Sequence, residues 1–420
     1  MPLILKNVTY IEWKTLGFTE VNIIIEEGAN GKIRFIGNIP ENTTVIDCKG
    51  KFVTRSFACG HHHAYSALAR GMGAPLKTPE NFREILQYVW WTLDKALDRD
   101  MIEAGALATA IACAKNGITF AVDHHASPDA IEGSLDIIAK AFEKVGVSHL
   151  LCYEITDRDG TEKAEKGLAE TERYISRNQG LVGLHASFTV GDRTLAKAVE
   201  LAAKYNSGIH IHVAEDRYDQ EHCKKTYGQS VVDRLQDAGV LDFPKTILVH
   251  CLHLDKHEKN IIKNSKAWIV QNTDSNLNNS VGRFDSRGLG DRIMLGTDGM
   301  YSDMLRSAKS AFFTGQGFDD ITYAEAYRRL RNAHIYLESN GFSGDGENNL
   351  VVFDYDSPTE MNAGNFLGHF LFGLESRHVQ HVISSGKLIV RDREILTVDE
   401  RDILNFCRKQ GKLLWKKMSS

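Results

Sequence analysis

The spacing of hydrophobic and polar positions changes twice along this chain. From residue 3 to about residue 55, β-branched runs recur as Leu3-Ile4-Leu5, Val21-Asn22-Ile23-Ile24-Ile25, Lys32-Ile33-Arg34-Phe35-Ile36 and Thr44-Val45-Ile46, separated by Gly and Asn turns. Such runs predict short antiparallel strands. The same texture returns near the other end as Leu350-Val351-Val352-Phe353-Asp354 and a hairpin pattern over 381–390. Two strand-rich ends around a different middle predict one β-sandwich domain built from residues 1–55 and 344–398, followed by a helix over 399–420.

The middle, residues 56–343, alternates helix and strand. Asn81 to Asp98 is an aromatic-rich helical run, and Asp100 to Asn116 is Ala-rich with helical spacing, stopping at Gly117. Short apolar runs with polar ends come next: 119–125, 183–185, 207–212, 246–250, 268–272 and 292–298. Amphipathic stretches lie between them, among them Thr194 to Tyr205 and Gly228 to Ala238. Strands that alternate with helices form a parallel sheet, and this many units predict an α/β fold with a closed (β/α)8 TIM barrel.

Composition narrows the partners. The 420 residues are 42% hydrophobic and 25% charged, with a net charge of -5, which is ordinary for a globular protein and offers no basic surface for nucleic acid. A small-molecule partner is favoured. Met1-Pro2-Leu3-Ile4-Leu5-Lys6 lacks the features of a secretory signal, and no apolar run is long enough to span a bilayer, so a cytoplasmic protein with no membrane association is expected. Seven cysteines, an odd number without a CxxC pair, fit reduced thiols.

Chemistry concentrates at the C-terminal ends of the barrel strands, the face that carries barrel active sites. In Gly60-His61-His62-His63, alternation sends His61 and His63 to one face and His62 to the other. His210 and His212, then His250, then Asp298 end later strands. Several imidazoles with one carboxylate suit Zn²⁺ or Fe²⁺. Glu215, three residues past His212, can reach a metal-activated water and carry its proton to a leaving group.

The set His61-x-His63, His212-x-x-Glu215, Val249-His250-Cys251-Leu252-His253-Leu254 and Gly296-Thr297-Asp298-Gly299 resembles the amidohydrolase superfamily, in its cytosine deaminase and chlorohydrolase branch. Trp90-Trp91-x-Leu93-Asp94, Asp123-His124-His125-Ala126-Ser127-Pro128 and Ser302-Asp303-Met304 resemble more closely the aminohydrolases associated with selenium metabolism. The resemblance implies one divalent metal ion, zinc before iron, on His61, His63, His212 and Asp298. It makes Glu215 the proton shuttle, His250 a hydrogen-bond donor and Asp298 a second proton acceptor. His185 and Ser302 become pocket residues, and a dimer is implied. Three departures stand out: Arg55-Ser56 replaces a usual Pro-Gly, Gln271-Asn272 a usual His-Asn, and Asn348-Asn349 a usual Gly-Lys-x-Ala-Asp.

The implied activity is deamination of a small nitrogen heterocycle with release of ammonia. The same site serves a chlorohydrolase or a hydrolase of a cyclic amide or guanidine, and the other class of reading is a non-catalytic docking protein in a selenium or redox pathway. His124 and His125 have two readings, substrate or metal contact and hydrogen-bonded core, with His125 carried as a substrate contact. Trp91 is read as a stacking platform for a flat ring, against helical core packing for both Trp90 and Trp91.

Overall fold

The computed structural model describes residues 2–319 and 321–419. Its terminal sheet is organised by β1 (Leu3–Ile11), whose residues Leu3 and Leu5 and, past a bulge, Val8 are buried together. β2 (Phe18–Ile25) and β3 (Ile33–Ile36) add to it antiparallel, as the pattern predicts. β4 (Thr44–Asp47) and β5 (Phe52–Arg55) instead run parallel to β1. Periodicity marks a strand but not its direction, and the chain after β3 returns to the start of β1 before extending again.

Eight parallel strands come next in sheet order: β6 (Phe57–His62), β7 (Ile118–His125), β8 (Ser148–Ile155), β9 (Val182–Ala186), β10 (Ile209–Val213), β11 (Ile247–His250), β12 (Trp268–Gln271) and β13 (Ile293–Leu295). The barrel closes where the chemistry sits: Thr297 and Asp298 both donate backbone N–H to the His61 carbonyl at 3.1 Å, and His62 bridges Asp298. Gly60 permits this approach, because a Cβ there would lie 2.9 Å from the Leu295 carbonyl oxygen. Phe120, Val122, Leu150, Val249, Val270 and Met294 fill the barrel beneath the site.

The chain then returns to the terminal sheet. β14 (Leu350–Phe353) pairs antiparallel with β5, and β15 (Val379–Ser384), β16 (Lys387–Arg391) and β17 (Glu394–Ile395) extend it, giving one nine-stranded mixed sheet from both ends. Asn348 seals the seam, its Nδ2 donating to the carbonyls of Glu26 and Gly28 at 2.7 and 2.8 Å. The helix Glu400–Met418 packs against the helix Arg99–Lys115, where the Cys407 thiol donates to the Ala104 carbonyl. Among the described residues, no helix is long and apolar enough to cross a membrane.

The aromatic run over 81–98 is not one regular helix. A π-turn over Leu86–Trp90, closed by the Trp91 N–H on the Leu86 carbonyl, joins short α segments Phe82–Ile85 and Trp91–Ala96. The extra residue in the turn rotates the second segment relative to the first, and Phe82, Leu86, Trp90 and Trp91 all reach one cavity.

Candidate active site

Strand alternation places the histidines of β6 and β10 together at one end of the barrel. His61, His63 and His212 bring ring nitrogens within 4.8 Å of one another, and Asp298 Oδ1 lies 3.3 Å from His63 Nε2 and 3.6 Å from His61 Nε2. Asp298 reaches them from a left-handed turn with φ 52° after β13, and Ala214, with φ 46°, turns the chain between His212 and Glu215. Both are strained backbone positions held by the barrel rim.

The tautomers identify what belongs between these groups. His63 donates Nδ1–H to the His124 carbonyl at 2.7 Å, and His212 donates Nδ1–H to the His185 carbonyl at 2.8 Å. A carbonyl only accepts, so in both rings Nε2 carries a lone pair. Burial pushes His63 down to about 4 and His212 well below the usual imidazole range, so both are neutral. Yet the two Nε2 atoms face each other 3.2 Å apart. Two lone pairs repel at that distance unless a cation lies between them, and nitrogens about 2.0–2.1 Å from one tetrahedral zinc are separated by about 3.3 Å. His61 Nε2, buried without a hydrogen-bond partner, points to the same place. The donor set fits a divalent cation.

His250 is built differently. Asn276 donates Nδ2–H to its Nδ1 at 2.7 Å, so the proton is on Nε2, 3.5 Å from Glu215 Oε2 and 3.7 Å from Asp298 Oδ2. That makes His250 a donor rather than a ligand. Burial, followed by the neighbouring Asp298 carboxylate, pushes Glu215 well above the usual carboxylate range, which suits a group that holds and releases a proton.

His63, His212, Glu215, His250 and Asp298 line a solvent-open cavity whose walls include Phe82, Leu86, Trp90 and Trp91. His185 and Trp91 line it, their rings 6.0 Å apart. His125 and Ser302 do not. His125 is buried with Nε2 on Ser127 Oγ at 2.9 Å, and Ser302 Oγ bonds His62 Nε2 at 2.7 Å behind the ligand face. Their expected substrate contacts are corrected by this placement: alternation turns His125 away, and a left-handed φ of 54° aims Ser302 at His62.

Sequence reasoning missed a charged cluster in the cavity wall, where Asp94, Glu154 and Arg158 meet and Glu154 Oε2 lies 3.5 Å from His124 Nε2. Arg158 donates Nη1–H to Glu154 and Nε–H to Asp159, each at 3.0 Å, pairs with Asp94 and stacks over Trp91 at 5.1 Å. Asp94 Oδ1 is left without a partner. The signal was present in Ser148-His149-Leu150-Leu151-Cys152-Tyr153-Glu154-Ile155, an apolar run with a charged end like those of the other barrel strands.

The profile of the Amidohydrolase family matches residues 52–332. A 5-methylthioadenosine/S-adenosylhomocysteine deaminase of Aquifex aeolicus is 28% identical over 449 aligned residues, covering 100% of this chain and 99% of the relative. A 5'-deoxyadenosine deaminase of Methanocaldococcus jannaschii is 27% identical, covering 94% of this chain and 96% of the relative. Among solved structures, an adenosine deaminase from Xanthomonas campestris with bound zinc superposes with a TM-score of 0.83 at 17% identity, covering 98% of each chain. With its barrel, its histidine–aspartate cluster and a family match across the barrel, the chain belongs to the amidohydrolase family, hydrolases acting on carbon–nitrogen bonds other than peptide bonds.

Proposed function

We propose that this chain is a mononuclear, zinc-dependent aminohydrolase that releases ammonia from a small nitrogen heterocycle, with an aminopurine nucleoside as substrate class. The observation that carries this reading is the pair of facing lone pairs on His63 and His212 beside a protonatable Glu215 and the N–H of His250, all in one cavity. The substrate class draws on the names of the relatives, which are deaminases of 5'-substituted adenosines.

In this reading His61, His63, His212 and Asp298 would hold a divalent cation. A bound divalent cation lowers the pKa of a water towards neutrality and so supplies the nucleophile. Glu215 takes the proton from that water at its carboxylate and delivers it to the heterocycle nitrogen. Asp298 accepts the second proton and passes it to the departing amine. His250 donates Nε2–H to the oxygen as charge grows on it, a contact that strengthens in the transition state. Trp91 and Phe82 cover the ring and keep solvent out. His185, with Nδ1 on Thr189 Oγ1 at 2.6 Å, presents its other nitrogen to the ring edge.

Ammonia release from adenosine, 5'-deoxyadenosine and 5'-methylthioadenosine, followed together with zinc content, tests the reading. The parent protein should carry close to one zinc per chain and deaminate at least one of these. Glu215→Gln should keep the zinc and lose turnover. Turnover surviving Glu215→Gln overturns the role of Glu215, two zinc ions per chain overturn the mononuclear site, and a zinc-loaded parent inert on all three overturns the substrate class.

A further inference from the structure

Each of the three ligand histidines needs its Nδ1 proton held so that Nε2 is free. For His63 and His212 a backbone carbonyl does this, and a carbonyl cannot donate. His61 is different: its Nδ1 faces Nε2 of His210 at 3.0 Å, and an imidazole can donate as well as accept. If His210 kept its proton on Nε2, it would donate to His61 Nδ1, and the His61 proton would shift to Nε2, where the cation belongs. Something must hold the His210 proton on Nδ1.

The structure places the Cys152 sulfur there. Cys152 Sγ lies 3.3 Å from His210 Nδ1 in the barrel interior, and Cys152, His210 and His61 are all 0% exposed, out of reach of bulk solvent. The thiol's own proton has two acceptors, His124 Nδ1 at 3.4 Å and the Asp123 carbonyl at 3.6 Å, which leaves the sulfur lone pairs to receive N–H from His210. Burial pushes the Cys152 thiol up, so it stays protonated and keeps this polarity.

We propose that Cys152 is a positioning residue for the metal centre: by accepting the Nδ1–H of His210 it fixes the His210 tautomer, and through His210 it sets the tautomer of His61. The chain of contacts runs from β8 through β10 to β6, from Cys152 Sγ to His210 and on to His61, whose Nε2 faces the cation. This inference rests on the metal-centre reading above. It also distinguishes Cys152 from an ordinary small buried side chain, because the sulfur's role is that of an acceptor.

The two roles order two substitutions oppositely. If Cys152 only fills space, Cys152→Ala is the mild change and Cys152→Ser, which buries a hydroxyl, the harsher one. If Cys152 is the acceptor, Cys152→Ser retains the function and Cys152→Ala loses it. Zinc affinity of the metal-free proteins, measured by chelator competition, should fall about 10–100-fold in Cys152→Ala, the usual effect of losing a partner that orients a ligand, and much less in Cys152→Ser. The visible bands of the Co²⁺-substituted protein should shift in Cys152→Ala and return towards the parent in Cys152→Ser.

Equal zinc affinity and an unchanged Co²⁺ spectrum in Cys152→Ala overturn the proposal, as does a Cys152→Ser variant that binds zinc no better than Cys152→Ala. So does a second metal equivalent in the parent that disappears in Cys152→Ala, since His124, Cys152 and His210 would then be ligands themselves. A parent that binds no zinc refutes the metal-centre reading instead, an outcome visible before any variant is compared.

Discussion

His212 and His250 stack 5.5 Å apart at an interplanar angle of 24°, yet they turn nitrogens of opposite character towards the same space. His212 gives its Nδ1 proton to the His185 carbonyl and presents a lone pair, whereas His250 receives Asn276 on Nδ1 and presents an N–H. Their partners, not the rings, divide ligand from donor. Asn276→Asp reverses the partner of His250 from donor to acceptor and draws the proton away from Nε2. The variant should lose about 10²–10³ in kcat, the usual effect of removing one such donor. Its zinc affinity should not fall. Steady-state kinetics beside a zinc titration checks both.

The buried carboxylates paired with Arg158 give stability a pH dependence of unusual sign. Burial, with Asp94 adding to it and Arg158 opposing it, pushes Glu154 up to about 7 from an ordinary 4.5. Between those values the folded chain holds a proton that the unfolded chain has released, so unfolding becomes easier as pH rises. The contribution of Glu154 is fully present below 4.5 and is lost as pH passes through about 7. Glu154→Gln should flatten this window. Urea unfolding of the parent and of Glu154→Gln at about pH 5 and about pH 8 measures it: the buried histidines, held neutral, contribute alike to both proteins, so the same change in stability across that range in parent and variant contradicts the assignment.

Removing the cation should cost stability as well as activity. The His63 and His212 lone pairs at 3.2 Å are then uncompensated, so the metal binds the folded chain far better than the unfolded one. A ligand at 100 times its Kd adds about 2.7 kcal/mol. Chelator treatment should therefore lower Tm, and added zinc should restore it in the parent but not in His212→Ala. Differential scanning calorimetry with and without zinc reads the effect.

The clustering of His61, His63 and His212 was legible because each sits at or beside a strand end, where a period of two decides which face a side chain takes, whereas Asp298 joins them from a left-handed turn beyond β13. Their protonation was not, since His250 depends on Asn276, 26 residues later, and His61 on His210, 149 residues later. Arg158 and Asp94 are likewise 64 residues apart, and nothing local announces their pairing. Ser302 misled because motif position places a residue near a site without fixing its direction; a left-handed backbone sends it to His62 instead. In the terminal sheet, alternation marked the strands, but the parallel course of β4 and β5 arises from long-range pairing that no short window contains.

The departure at Arg55 is a structural substitution with its own partners. Arg55 donates Nη2–H to Asp345 Oδ2 at 2.9 Å and stacks over Trp13 at 5.0 Å, and His334 Nδ1 meets the same carboxylate oxygen at 2.8 Å. The pair is 8% and 2% exposed, so removing one partner strands a buried charge where sheet and barrel join. Arg55→Met should cost about 3–5 kcal/mol, as breaking a buried ion pair does. Asp345→Asn in the same chain should recover much of that loss, because the uncompensated charge is then gone. The cavity residues are not touched, so kcat of the folded fraction should stay near the parent value in both. Equal stability of the single and double variants would mean that packing against Trp13, rather than charge, is what Arg55 contributes.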